Sequence, residues 1–453
     1  MGLFDRLRGG DGPRVAFFGI DGVPYSLIAD NPDTFPNLTE LAAEGSSGAI
    51  DSIVPPESSA CWPALTTGVN PGETGVYGFQ DRENGSYDTY VPMGRDVRAT
   101  RIWDRVENAD RRASVMNVPV TFPPQRDVQR MVSGFLSPGV EKAAYPDDLR
   151  EHLENNDYRI DVNAKLGHKD DKAEFMEDAH RTIDARFENF KHYIQEDDWD
   201  LFFGVFMTTD RVNHFLFGDY EAGEEASPED YEYFVEFYEK VDRYLGELRG
   251  MLDDDTTMMV ASDHGFTTLD YEVHCNAWLE REGWLEYDTD DHDELGDISE
   301  EARAYSLIPG RFYLNLEGRE PNGGVPQDEY EETRAELKEA LENLTGPNGE
   351  PVADRVVTKE EAYRGAHDDI APDLTVVPNH GFDLKSGFKG HEEVFGTGPR
   401  NGMHSFDNAC LFIDDPDCPV EDADLYDIGP TVLDLMDVDY DRPEFDGGSL
   451  VKQ

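Results

Sequence analysis

RVAFFGID, residues 14–21, is apolar at nearly every position and closes on an acid. Apolar residues in an unbroken run, rather than at alternate positions, are what a parallel strand buried on both faces requires. The pattern returns in LFFGVFMTTD (201–210) and TTMMVASD (256–263), each again ending on aspartate. Between these runs lie stretches with helical spacing: LTELAAEG (38–45), the helix-then-strand segment WDRVENADRRASVMNVP (103–119), and FVEFYEKVDRYLGELRGML (234–252). Strand and helix in alternation predict an α/β fold, a doubly wound, mostly parallel sheet sandwiched by helices.

Working outward, GAIDSIVP (48–55) reads as a further strand, and residues 145–198 as helical and acidic. From about Thr267 to Ala371 the alternation loosens. DTDDHDELGDISEEA (288–302) is a charge run, most simply a solvated loop, followed by RFYLNLEG (311–318) and a helical stretch at 329–344. We read 267–371 as an inserted lid or substrate subdomain, and 1–266 with 372–453 as the catalytic core. On this reading PDLTVVP (372–378) and NACLFID (408–414) return to core strands.

The 453 residues carry 98 acidic against 39 basic side chains, a formal net charge of −59. Hydrophobic content of 38% supplies a core, so the charge reads as a solvated acidic shell rather than disorder. Such self-repulsion is tolerable where salt screens it, the Debye length being ~3 Å at 1 M. This predicts a high-salt cytoplasm. It also argues against a nucleic-acid polymer or an anionic membrane as partner, since no basic stripe exists to release counterions. A small phosphorylated substrate remains open, because a local dimetal site overrides the global sign. Cys61, Cys275, Cys410 and Cys418 show no CxxC spacing and predict reduced thiols. MGLFDRLRGGDGPR (1–14) lacks an apolar h-region, and no later run is long enough to span a bilayer.

The chemistry-bearing residues stand at strand ends and turns. Asp21 follows the first strand directly, where open α/β sheets place their sites. Asp210 and His214 are spaced i, i+4 at the start of a helix and so project from one face, a platform for a zinc-like ion. Asp263 and His264 are adjacent in a tight strand-end turn, with Gly265 supplying backbone freedom. His404 sits in the glycine-rich loop GTGPRNGMHSF (396–406). Ser58 and Ser59 precede a helix predicted to open near Ala60, where the helix dipole favours an incoming phosphate and a deprotonated nucleophile. Each residue alone has an ordinary structural reading, as cap, turn or exposed histidine. Three Asp, three His and one Ser together are what a two-metal hydrolase needs. His168, His274 and His391 lack comparable partners and read as surface residues.

In order, FFGIDG (17–22), PPESSACWPALTTGVNPGETG (55–75), TTDRVNH (208–214), ASDHG (261–265) and GMH (402–404) resemble the motifs of the alkaline phosphatase superfamily. The match is to its type I phosphodiesterase/nucleotide pyrophosphatase branch, and it runs on to YDIGPTVLDLMDV (426–438) and DGGSL (446–450). The resemblance implies a two-metal hydrolase of phosphodiester or pyrophosphate bonds in small, nucleotide-like substrates, working through a phosphoseryl intermediate. Carried over position by position, Asp210, His214 and His404 would hold one metal. Asp21, Asp263, His264 and the nucleophile oxygen of Ser58 would hold the other, with zinc the default and manganese the alternative. Two positions depart from the pattern. Thr74 stands where the family has His, and Phe79 or Gln80 stands where some nucleotide pyrophosphatases place an Asn, for which the Asn117 amide is a substitute. Phosphomonoesterases and phosphonate hydrolases share this scaffold. A sulfatase is disfavoured because Cys61-Trp62-Pro63-Ala64-Leu65 has Leu where the formylglycine motif has Arg. A metal-stabilised, non-catalytic binding protein is the remaining alternative.

Overall fold

A computed structural model describes residues 12–390 and 393–452. Residues 1–11, which hold most of the N-terminal stretch read above, and His391 therefore lie outside the described residues. The central sheet has eight strands in the spatial order Ser46–Ile50, Ala409–Ile413, Thr256–Ala261, Arg14–Ile20, Leu201–Phe206, Ala113–Val118, Arg130–Ser133 and Ala144–Tyr145. The five from Thr256–Ala261 to Arg130–Ser133 run parallel, and the flanking strands pair antiparallel.

The unbroken apolar runs have the expected cause. Ala16, Phe18 and Ile20 face one hydrophobic cluster, while Val15 and Phe17 face another. The first cluster is closed by the helices Ala173–Glu196 and Pro228–Arg249, the second by Ser58–Thr67 and Ile428–Leu435. Both faces of every central strand are thus covered, which is the doubly wound arrangement.

Two smaller sheets share a third core. One pairs Ala304–Leu307, Arg311–Leu314, Leu374–Pro378 and Ala353–Thr358, all antiparallel. The other contains Gly381–Lys385, Gly265–His274 and Phe395–Gly396, with Gly402–Ser405 pairing to Gly265–His274. One expectation is corrected here. PDLTVVP does not return to the central sheet, because Leu374–Pro378 hydrogen-bonds with Arg311–Leu314 and Ala353–Thr358. A fully apolar strand buried between a sheet and a helix reads the same wherever that sheet lies. NACLFID does join the central sheet, as Ala409–Ile413.

Buried ion pairs join the first of these small sheets to the two-residue strand Asp81–Arg82, which pairs with Thr89–Tyr90. Arg311, wholly buried, pairs with Asp81 at 2.5 Å, and Arg82 approaches Glu320 at 3.7 Å. Among the described residues no helix is long and apolar enough to cross a membrane. Cys61, Cys275, Cys410 and Cys418 are buried free thiols.

Candidate active site

Three neighbouring parallel strands deliver the acids. Asp21 follows Arg14–Ile20, Asp210 follows Leu201–Phe206 by one helical turn, and Asp263 follows Thr256–Ala261. Their carboxyl ends open at the centre of the sheet, the position that α/β sheets use for ligands. All three carboxylates are buried.

Asp210 and His214 lie on the first turns of the helix Thr208–Ala222. His404 reaches them from a strand, Gly402–Ser405, and not from a loop as its glycine-rich context suggested. His404 Nε2 is 3.1 Å from Asp210 Oδ1 and 3.1 Å from His214 Nε2, and the last two are 3.4 Å apart. Each ring is oriented from behind: His214 Nδ1 donates to the Gly402 carbonyl and His404 Nδ1 to the Pro56 carbonyl, both at 3.1 Å. That leaves the two Nε2 atoms facing each other and a carboxylate oxygen.

Asp21, Asp263, His264 and Ser58 converge beside them. Ser58 Oγ is 3.2 Å from both Asp21 Oδ1 and His264 Nε2. His264 Nε2 lies 3.6 Å from Asp21 Oδ1 and 3.5 Å from Asp263 Oδ2, its Nδ1 donating to the Gly265 carbonyl. Trp62 Nε1 donates to Asp21 Oδ2 at 2.6 Å, which turns Oδ1 toward Ser58. The backbone N–H of Gly22 donates to Asp263 Oδ1 from a left-handed turn of φ +66°, a conformation that glycine adopts without strain. Gly265 is needed for a different reason than the freedom expected of it. Its φ is not left-handed, and a Cβ there would stand 2.1 Å from the Asp407 carbonyl oxygen.

The two groups touch, the rings of His264 and His404 stacking at 3.9 Å. Seven predicted residues are therefore in one place. Ser58 is the first residue of its helix rather than a residue ahead of it, with Glu57 in the capping position. Ser59 is buried and its Oγ has no partner among the described residues, whereas Ser58 lines the cleft.

Charge explains what the arrangement lacks. Burial, then the neighbouring Asp263 and Asp210, pushes the Asp21 carboxyl well above its ordinary range. Burial pushes Asp263 up to about 7, and its Oδ2 is buried with no hydrogen-bond partner. Burial also works against Asp210, yet His214, His404 and Arg211 hold it well below the usual carboxylate range. Burial lowers His214 and His264, favouring their neutral, lone-pair-bearing forms. An orphaned carboxylate oxygen, clustered acids and inward-facing imidazole lone pairs fit divalent cations bound by mixed N and O donors. Oxygen and nitrogen ligand atoms of Asp210, His264 and His404, and of Asp21, Asp263 and His264, lie within 4.8 Å of one another in each set.

Several contributors escaped the sequence reading. Arg211 donates to Asp210 Oδ2 at 3.1 Å, pairs with Asp161 at 3.1 Å and lies over the Phe135 ring at 4.5 Å. Asn213 donates to the Gly22 carbonyl and accepts from Tyr238, and Thr209 donates to the Asp21 carbonyl, so TTDRVNH also braces the first strand end. Glu57, pushed up to about 7 by burial, lines the cleft next to Ser58. None carries a sequence signal beyond its place inside a motif. Of the residues named as departures, Phe79 lines the cleft, while Gln80 bonds to Thr89 and Thr74 is buried in a short helix. Asn117 does not serve as the substitute amide, because it does not line the cleft and its Oδ1 accepts from Tyr158.

The cleft over Ser58 has a volume of about 570 Å³ and is walled partly by Ile308 and Pro309 of the smaller sheets. The fold is the mixed α/β scaffold of the alkaline phosphatase superfamily. The sequence profile of the type I phosphodiesterase/nucleotide pyrophosphatase family matches residues 15–407, and the chain belongs to that family. Among solved structures, phosphonoacetate hydrolase from Sinorhizobium meliloti 1021, in complex with phosphonoacetate, superposes with a TM-score of 0.64 at 18% identity, covering 94% of this chain and 96% of that one. Murine ectonucleotide pyrophosphatase/phosphodiesterase 5, solved in an inactive form with AMP, gives a TM-score of 0.55 at 14% identity, covering 94% and 96%. The human protein of that name gives 0.55 at 13%, covering 96% and 97%. No curated protein sequence matches the chain. The family makes the protein a hydrolase of the phosphodiesterase/pyrophosphatase type.

Proposed function

We propose that the protein cleaves phosphodiester or pyrophosphate bonds of small, nucleotide-like substrates through a phosphoseryl intermediate on Ser58. The observation that carries this is the placement of Ser58 Oγ, 3.2 Å from Asp21 Oδ1 and His264 Nε2 and open to the cleft. Asp210, His214 and His404 are assigned one divalent cation, and Asp21, Asp263, His264 and Ser58 Oγ the other. Such ions, zinc by default and manganese as the alternative, supply charge stabilisation to the entering and leaving oxygens of an in-line displacement.

The side chains do the rest. Ser58 opens the helix Ser58–Thr67, so its oxygen sits at the positive end of the helix dipole. Its Oγ forms a bond to phosphorus as the bond to the ester oxygen breaks and that oxygen departs with the leaving group. Water then attacks the same phosphorus, releasing phosphate or its monoester and returning Ser58 to the hydroxyl. Asp21 Oδ1 and His264 Nε2 are both within reach of the hydroxyl hydrogen. Arg211 presents its guanidinium on the cleft wall beside Asp210, where phosphoryl oxygens carry their charge. A phosphonate hydrolase is the second reading, favoured by the superposition with a structure that holds phosphonoacetate.

We infer from the net charge of −59 that the protein works in a high-salt cytoplasm, with no nucleic-acid polymer or membrane as partner. The test is hydrolysis of bis-p-nitrophenyl phosphate against the monoester in high salt, with zinc or manganese and with EDTA. Metal-dependent preference for the diester supports the reading. Preference for the monoester replaces it with a phosphatase, and silence on both removes the hydrolase mechanism built on Ser58.

A further inference from the structure

A guanidinium offers five N–H donors in a planar fork, and three of those on Arg211 are accounted for. Nε and Nη2 both donate to Asp161 Oδ2, at 3.2 and 3.1 Å, and Nη1 donates to Asp210 Oδ2 at 3.1 Å. The Phe135 ring covers one face of the guanidinium at 4.5 Å. The ring thus sets the plane of the group, and Asp161 and Asp210 on two of its edges set its rotation within that plane. One N–H on Nη1 and one on Nη2 are left over, and Arg211 lines the cleft over Ser58.

Asp161 has no strand or helix of its own to hold it there, since residues 156–163 form neither. The stretch is instead tied on both sides of Asp161 to one helix, Ala173–Glu196. On the amino side, Arg186 Nη2 donates to the carbonyls of Arg159 and Ile160, at 2.9 and 2.5 Å. On the carboxyl side, Asp178 Oδ2 accepts the N–H of Asn163 at 2.7 Å, while its Oδ1 accepts from the Arg159 guanidinium. Asp161 Oδ1 accepts the N–H of Val162 at 2.8 Å, which leaves Oδ2 for Arg211. Arg186 is wholly buried, and Asp178 nearly so. Charged side chains are costly to bury, and here they hold the backbone on either side of a single carboxylate.

Resting on the hydrolase reading above, we propose that Asp161 is a positioning residue, which fixes the Arg211 guanidinium so that its two remaining N–H groups meet non-bridging oxygens of the phosphoryl group during transfer to Ser58. Paired, charge-assisted contacts of this kind depend on orientation as well as charge. Asp161 also borders the cleft, so an action on substrate that does not pass through Arg211 is the rival to be separated.

A double-variant cycle separates them. Asp161→Asn, Arg211→Gln and the two combined are compared with the wild type as metal-loaded full chains in high salt, with bis-p-nitrophenyl phosphate as substrate. Asp161→Asn should lower kcat and kcat/KM together by about tenfold or more and leave KM within about twofold, as for a contact realised in the transition state. In the Arg211→Gln background the same change should alter kcat/KM by less than about threefold, because the group through which Asp161 acts is gone. Asp161→Glu keeps the carboxylate and should recover part of the loss. Thermal midpoints check the fold of each variant, and Asp161→Ala carries the same cycle should the Asn variant not fold. A loss of equal size in both backgrounds overturns the proposal, as does a raised KM with kcat unchanged, or an Asp161→Asn protein that turns over like the wild type. Metal-dependent turnover by the wild type keeps the hydrolase reading whatever the cycle shows. No turnover of diester or monoester by the wild type removes that reading and the role of Asp161 with it.

Discussion

The two halves of the ligand cluster are built from the same residue types and are balanced differently. Around Asp210 the protein answers its own negative charge: Arg211 pairs with the carboxylate, and His214 and His404 close on it. Around Asp21 and Asp263 no Lys or Arg makes an ion pair among the described residues. Both acids are fully buried, and one oxygen of Asp263 has no hydrogen-bond partner among the described residues. The first half can persist as an ion pair without metal, whereas the second is an electrostatic deficit until a cation arrives. The nucleophile belongs to the second half, so the part of the site that does the chemistry is also the part least stable alone.

The largest effect that sharpens this contrast is on turnover. Ser58→Ala should lower kcat by roughly 10⁴-fold or more, because removing a nucleophile disables the step rather than weakening it. Bound metal, measured by elemental analysis, should fall little, since six of the seven donor residues remain. Ser59→Ala, whose hydroxyl does not line the cleft, should change kcat by less than about threefold. Activity retained in Ser58→Ala would transfer the nucleophile to Ser59 or to water.

Asp263→Asn probes the deficit itself. It should weaken metal binding at the Ser58 side by at least ~100-fold, measured by chelator competition. In the metal-free protein its effect on stability has the opposite sign. Asp263 titrates near 7 when folded, against an ordinary 3.8, so the folded state keeps its proton longer than the unfolded chain. The unfolded state binds fewer protons between those values, and stability therefore falls as pH rises from about 4 to about 7. Metal-free wild type should lose a few kcal/mol over this window relative to Asp263→Asn, read from denaturant midpoints at each pH. Saturating metal should abolish the difference in slope. Identical pH profiles for the two metal-free proteins would show that Asp263 is not the strained group.

Arg211→Gln acts on the balanced half. It removes the guanidinium that holds Asp210 and faces the cleft, and should reduce kcat/KM by about 10²-fold. Arg211→Lys should recover part of this, since a point charge replaces only one of the contacts with Asp161 and Asp210.

The same contrast explains what the sequence made legible. The strand ends announced themselves, because an unbroken apolar run followed by Asp is a local pattern, and three such runs lie side by side in the sheet. His404 was legible only through its motif, since nothing local distinguishes a strand that pairs with the distant residues Gly265 to Thr268 from an exposed loop. Arg211 sat unread within TTDRVNH because its partner Asp161 comes from a distant segment, and long-range ion pairs leave no periodicity. PDLTVVP was misplaced for a related reason: strand character is local, while sheet membership is decided by hydrogen-bond partners elsewhere. Gly265 was recognised as necessary, but the cause is the approach of the Asp407 carbonyl, which only the fold brings near.

Trp62 offers the smallest and most selective way to shift the balance. Its indole N–H donates at 2.6 Å to Asp21 Oδ2 and favours the charged form of this acid against the burial that pushes it up, with Ser58 Oγ donating to the other oxygen. The ring itself is fully buried among Phe203 and the second hydrophobic cluster, so Trp62→Phe keeps an aromatic ring there and removes the donor. A hydrogen bond to a charged group is worth about 1.5–3 kcal/mol, which corresponds to a loss of roughly tenfold or somewhat more in metal affinity. The loss should fall on the Ser58 side alone, because Asp210, His214 and His404 draw no contact from Trp62. Two-site chelator titrations would then show one affinity moving and the other fixed. If both moved together, the halves would be electrostatically one site, and the difference between a balanced and an unbalanced half would vanish once metal is bound.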